Sequence, residues 1–150
     1  MPLDLTDRFD PDIAARLQDA DPASAGGLPA FLEVRITECG AGVLAARIDV
    51  TTALLTPFGA AHGGVLAALV DHVLGAVCYP VIPRGAWAAT TEFKINYLAP
   101  VREGTLEARA EITTLGRRTA VVRIEAHANG DLVGIAQGTV TIRPPTPPTG

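Results

Sequence analysis

The stretch from Ala61 to Cys78 constrains this chain more than any other, because it is apolar almost throughout and holds a single carboxylate. Between Asp49 and Arg84, Asp71 is the only residue with a formal charge at neutral pH. After the pair Gly63-Gly64, residues Val65, Leu66, Leu69, Val70, Val73, Leu74 and Val77 cover nearly the whole helical circumference. The pattern predicts a long helix buried on most sides. A carboxylate in such a segment is costly unless it is paired, protonated or used. A fold for this chain must therefore enclose a helix, and a function must account for Asp71.

On both sides of the helix the apolar period becomes two, the signature of strands with one buried face. Before it, from Phe31, Leu32, Val34 and Ile36 alternate with Glu33, Arg35 and Thr37. After the turn Cys39-Gly40-Ala41-Gly42, Leu44, Ala46, Ile48 and Val50 alternate with polar or small residues. Beyond Pro80 and Pro83, which end the helix, four further strands are expected. They are centred on Phe93-Ile95-Tyr97, Leu106-Ile112, Ala120-Ala126 and Leu132-Ile142, with Asn129-Gly130 as the strongest hairpin signal. Short turns imply antiparallel neighbours. The expected fold class is therefore α+β: a curled antiparallel sheet of about six strands wrapped around one helix. One sheet does not easily cover every side of such a helix, so a second subunit is expected. Residues 1–29 read as a leader, with Asp10-Pro11 as cap and first residue of a short helix and a break over Asp21–Gly27. The main domain is expected over 30–143, and the Pro-rich tail 144–150 as disordered.

Bulk properties narrow the function. A net charge of -4 argues against nucleic acid as the main partner. Asp71 and His72 interrupt the best candidate for a membrane span, and the acidic start Met1–Asp7 lacks the shape of a signal peptide. A cytoplasmic protein is expected. Serine occurs only at Ser24, which disfavours a serine nucleophile. Cys39 and Cys78 offer no disulfide framework, and His62, His72 and His127 no metal-ligand spacing. The glycine pair is not followed by Lys-Ser/Thr, so there is no phosphate-binding loop.

What remains is the helix start and Asp71. Gly63 and Gly64 leave first-turn N–H groups uncovered, at the positive end of the helix dipole, where a carbonyl oxygen would be polarised. Asp71 follows Gly63 by eight residues, about 12 Å along a helix. That is too far for both to act on one carbonyl within one chain. If two such helices pack antiparallel across a dimer, Gly63 of one faces Asp71 of the other.

The segment Pro57-Phe58-Gly59-Ala60-Ala61-His62-Gly63-Gly64, with Asp71 nine residues after the histidine, resembles the hotdog-fold acyl-CoA thioesterases. It is most similar to the PaaI-like branch, which includes phenylacetate-pathway and 4-hydroxybenzoyl-CoA thioesterases. Thr90-Thr91-Glu92-Phe93-Lys94-Ile95-Asn96-Tyr97-Leu98-Ala99-Pro100 is similar to the strand after the helix in that branch, and Ile135-Ala136-Gln137-Gly138 also fits. The resemblance implies an acyl-CoA substrate, no cofactor or metal, and a homodimer or a dimer of dimers, that is, a homotetramer.

By that resemblance Asp71 is the catalytic carboxylate, as general base for water or as nucleophile. The Gly63 N–H polarises the thioester carbonyl from the partner subunit, and His62 supports the turn. Thr56, Phe58, Gly64, Thr90 and Thr91 are the candidate substrate-binding residues. Thr90 matches a hydroxyl position of some relatives, yet strand parity puts Thr91 with Phe93 and Ile95 on the helix side; a bulge would reconcile the two. Relatives often carry Asn or Gln six residues before the histidine, where this chain has Thr56, with shorter reach and one donor. Two other readings stand beside this one: a non-catalytic acyl-CoA-binding protein, and a hotdog hydratase or dehydratase using His62 or His72. The acidic, asparagine and histidine pattern of the hydratase branch is absent.

Overall fold

Strand periodicity on both sides of the long helix produces one six-stranded sheet. The computed structural model describes residues 3–147. Strands β1 (Arg35–Gly40), β2 (Val43–Asp49), β3 (Trp87–Tyr97), β4 (Thr105–Leu115), β5 (Thr119–Ala128) and β6 (Asp131–Arg143) lie in the order β1-β2-β4-β5-β6-β3. Every neighbouring pair is antiparallel. The Asn129-Gly130 turn between β5 and β6 has positive φ at both residues, 53° and 89°, the conformation that Asn-Gly supplies most cheaply.

Among the described residues there are also four α-helices, α1 (Pro11–Asp19), α2 (Pro22–Ala25), α3 (Gly27–Phe31) and the long α4 (Gly63–Ala76), and three short 3-10 turns. The sheet wraps α4. Its inner face is rich in alanine: Ala46, Ala108, Ala110 and Ala126 are fully or almost fully buried beside Leu44, Ile48, Leu106, Ile112 and Ile124. Small residues on the sheet let the bulky helix residues Leu69, Val70, Val73 and Leu74 sit close, and these are buried to within 1%. By length and composition the 19 residues Gly63–Val81 would also suit a membrane span, but here they form the core helix of the sheet.

The two sheet edges are treated differently. At β1 the leader packs against the strand through α1, and Leu5 reaches over Gly42, where a Cβ would lie 2.8 Å from Leu5 Cδ1. The leader is clasped by Arg84, whose guanidinium donates to both oxygens of Asp10 (2.6 and 3.0 Å) and to Asp12. Asp10 also caps α1, accepting from the N–H groups of Asp12 and Ile13. At the other edge β3 pairs only with β6. Among the described residues nothing covers its second side.

Three expectations change. The break expected over Asp21–Gly27 is instead two short helices: Asp21 accepts from Ala23 N–H and starts α2, and α3 follows at once. The strand expected from Phe31 begins only at Arg35, because α3 runs through Phe31 and Glu33 adopts a left-handed φ of 51°. Leu32 and Val34 are still buried, as approach to the strand rather than part of it. The third change concerns α4. Its buried arc spans Leu66, Leu69, Val70, Val73, Leu74 and Ala76, but Gly64 and Asp71 are exposed, and Ala67, Ala68 and Gly75 only half-buried. At 100° per residue those five form a stripe about 100° wide. The helix is not enclosed all round: one stripe of small residues, with Asp71 in it, is left open. Of the tail 144–150, residues 148–150 lie outside the described residues; 144–147 have no regular structure, and Pro145 lies against Gly85.

Candidate active site

The start of α4 is fixed by its own residues. Ala61 N–H donates to Val101 O (2.7 Å), in the connection between β3 and β4, and His62 N–H to Leu54 O (2.9 Å), which pins the start of the helix to the two neighbouring loops. His62 is the N-cap: its Nδ1 accepts from Gly64 N–H at 2.8 Å, while its carbonyl accepts from Val65 N–H. An accepting Nδ1 requires the neutral imidazole with its proton on Nε2. Both glycines have a steric reason. A Cβ at Gly64 would lie 3.0 Å from His62 Nδ1, and one at Gly63 would lie 3.1–3.3 Å from the ring and hydroxyl of Tyr97. With Gly64 N–H bonded to His62, the Gly63 N–H is the first donor of the helix left without a partner among the described residues.

Asp71 sits two turns further on, in the open stripe. Its carboxylate is exposed and makes neither hydrogen bond nor ion pair among the described residues. The cost of a buried carboxylate, expected from the apolar run, is thus avoided in the single chain. His72, next along, is half-buried, and burial pushes its imidazole below the ordinary range while the Asp71 charge pulls the other way.

Strand β3 runs alongside, antiparallel to α4: Tyr97 touches Gly63 near one end, and the Ala88 carbonyl lies beside Gly75 near the other. Asp71 and Thr90 both fall between these contacts. The register of β3 on β6 shifts between Thr90 and Glu92. Thr90 is opposite Val140 and Ala88 opposite Ile142, both core residues, whereas Phe93 is opposite Gly138. Directly opposed residues share a face, so Thr90 lies on the helix side together with Phe93. Thr91 is the extra residue: its hydroxyl meets that of Thr141 on the outer face, 2.6 Å away. Strand parity, which puts Thr91 on the helix side, fails because the bulge inserts one residue.

The remaining candidates lie apart. Thr56 serves the loop, with Oγ1 accepting from Phe58 N–H at 3.3 Å and its backbone bonded to Ala60 and Gly59. Phe58 is 90% exposed, with its carbonyl held by Arg102. Neither residue lines the two cavities flanking the helix start. One, of about 360 Å³, is lined by Ala60, His62, Gly63, Leu66, Tyr97 and Val101 among others. The second, also about 360 Å³, lies between α3 and the open stripe, with Leu28, Phe31, Leu55, Val65 and Ala68 in its wall. The part of α3 in this wall, and the role of Tyr97, are not foreseen from sequence. The open stripe had a partial signal: Gly64, Ala67 or Ala68, Asp71 and Gly75 recur at three and four along the helix, though Gly63, His72 and Ala76 are also small or polar and blur it.

A long helix wrapped by a curled six-stranded antiparallel sheet is the hotdog fold of thioesterases. The chain belongs to the thioesterase superfamily, whose model matches residues 58–135. Thioester hydrolysis is the chemistry that this membership assigns. A Bacillus subtilis protein named as an esterase is 31% identical over 74% of this chain and 90% of its own. The 1,4-dihydroxy-2-naphthoyl-CoA hydrolase of Listeria monocytogenes is 26% identical over 78% and 96%. Among solved structures, a Haemophilus influenzae thioesterase superposes with a TM-score of 0.78 at 25% identity, over 84% of this chain and 89% of that one. A variant of the phenylacetic acid degradation protein PaaI from Thermus thermophilus gives 0.68 at 30%, over 75% and 95%.

Proposed function

We propose that the protein hydrolyses an acyl-CoA to the free acid and CoA in a homodimer whose sites are shared between subunits. The observation that carries this reading is a pair of unsatisfied groups on one helix: the free Gly63 N–H and the unpartnered Asp71 carboxylate. They are about 12 Å apart along the axis, too far to meet at one carbonyl in the same chain. The open stripe borders the edge strand, with Gly75 beside the Ala88 carbonyl of β3, so a second copy placed there would pair strand to strand and helix to helix. Antiparallel packing there would bring the partner subunit's Gly63 to Asp71.

In such a site the N–H donor stabilises the oxygen that gains charge as the thioester carbon becomes tetrahedral. Asp71 takes a proton from the attacking water, a C–O bond forms, the C–S bond breaks and the thiolate leaves with the proton. Direct attack by Asp71, with water then cleaving the acyl-enzyme, uses the same placement. Thr90, on the helix side of β3, supplies a hydroxyl at the level of Asp71 for orienting water or carboxylate. His62 fixes the donor loop, and Gly64 lets His62 do so. Thr91, on the outer face, and Thr56, used within its turn, have no part in this reading.

The test is free-thiol release from short, medium and aromatic acyl-CoAs by wild type and Asp71→Asn. Asn keeps the size and loses the basicity, so turnover is expected to fall about 10²-fold or more. Because Asn keeps the size and Asp71 makes no bond within its own chain among the described residues, the melting temperature should not drop. Undiminished turnover in Asp71→Asn would end this assignment of the carboxylate.

A further inference from the structure

We infer that Tyr97 is a positioning residue for the Gly63 amide, holding the helix start so that its N–H stays aimed at the thioester carbonyl. The inference rests on the reading of Gly63 as the polarising donor. Gly63-Gly64 is a weak place to build such a donor, since two consecutive glycines have little conformational preference of their own. Each neighbouring polar group is tied down: the N–H groups of Ala61 and His62 to the Val101 and Leu54 carbonyls, the Gly64 N–H to His62 Nδ1, and the His62 carbonyl, in the same peptide unit as the Gly63 N–H, to Val65 N–H. A further tether, on the Gly63 carbonyl itself, comes from a side chain 34 residues away. Tyr97 Oη donates to the Gly63 carbonyl at 2.8 Å.

The ring itself lies against the Gly63 Cα, close enough that a Cβ there would have to displace it. Tyr97 thus restrains Gly63 at its carbonyl and at its Cα, and adds to the helix bonds a hold that two glycines do not supply themselves. It is not a core residue: 53% of its surface is exposed, and it stands at the end of the edge strand, lining the cavity at the helix start with His62 and Leu66. A phenylalanine would keep the ring contact. The hydroxyl is what the backbone uses.

The experiment compares wild type and Tyr97→Phe as assembled proteins. The first readout is the infrared carbonyl stretch of a bound acyl-CoA analogue with CH2 in place of the thioester sulfur, a ketone that cannot be hydrolysed. The second is kcat and KM with the matching thioester, and the third is the thermal midpoint. Wild type should lower the stretch on binding. In Tyr97→Phe about half or more of that lowering should vanish, kcat should fall about tenfold, and KM and thermal midpoint should hold, since a misaimed donor loses part of what a deleted one loses. An equal stretch and equal kcat in both proteins would overturn the role of Tyr97 while leaving Gly63 as donor. A kcat loss matched by a lower midpoint and an unchanged stretch would reduce Tyr97 to a structural residue. No lowering of the stretch in wild type would remove both the donor reading and the inference. The infrared readout does not depend on turnover, so failure at Asp71 does not blur it.

Discussion

Neighbouring residues of α4 answer to different surroundings, and His72 shows how. Burial depresses its pKa, so the unfolded chain binds this proton more readily than the folded one. The stabilising effect is complete above the ordinary histidine value of 6.5 and is lost as pH falls through 6.5 toward the lower folded value. The urea midpoint should therefore fall between pH 7 and pH 5, and His72→Gln should flatten that fall. Identical pH profiles would remove His72 from the account. The cysteines are also governed by burial, which pushes Cys78 to about 12 and Cys39 to about 11, with Glu38 adding to the latter. The thiolate is the reactive form. Native protein at pH 8 should resist iodoacetamide for hours and take up label at both positions once denatured; rapid native labelling would contradict the packing at either site.

At the scale of elements, the bulge in β3 has its counterpart on β6. A Cβ at Gly138 would come within 2.7 Å of the Glu92 carbonyl and of Phe93 Cβ, and within 2.9 Å of Leu74 Cδ2. Gly138 leaves room for the strand to crowd in where the extra residue sits, and this crossing turns Thr90 toward the helix. Gly138→Ala should cost about 1–3 kcal/mol in denaturant unfolding, the usual range for overpacking. It should also reduce turnover by rotating Thr90. A variant as stable as wild type would show that the close approach is not required. The same spot shows where reading the sequence stopped. Alternation predicted the strands β2 and β4 to β6, and Asn129-Gly130 their sharpest turn, because those depend on local pattern. Counting back by twos from Phe93 puts Thr91 on the helix side while the family resemblance puts Thr90 there; the bulge expected to reconcile the two is present, although nothing in residues 87–92 marks where it falls. The mark is a glycine on another strand. Likewise α3 is hidden, since Leu32 and Val34 extend the alternation of Ile36 back past the true start of β1 at Arg35.

At the scale of the whole molecule, the sequence pointed to a helix too apolar to stand alone, but not to which side the sheet leaves open. The open side is set by strand order: β3 crosses to the far edge, and α4 lies beside it with its small residues and Asp71 outward. A bare edge strand beside an open helix stripe invites an isologous dimer, in which each site takes one group from each chain. This predicts rescue between two inactive variants. Asp71→Asn lacks the carboxylate. Gly63→Pro lacks the N–H at the first helical position, where proline is tolerated, although Tyr97 must shift to admit the ring. If sites are shared, unfolding and refolding the two together gives mixed dimers with one intact and one doubly defective site. Half of the dimers are mixed and half of their sites work, so about a quarter of wild-type activity should return. Sites formed within a single chain would leave every mixed dimer inactive, and a refolded mixture with no activity, despite normal dimer formation by sedimentation, would rule out the shared arrangement.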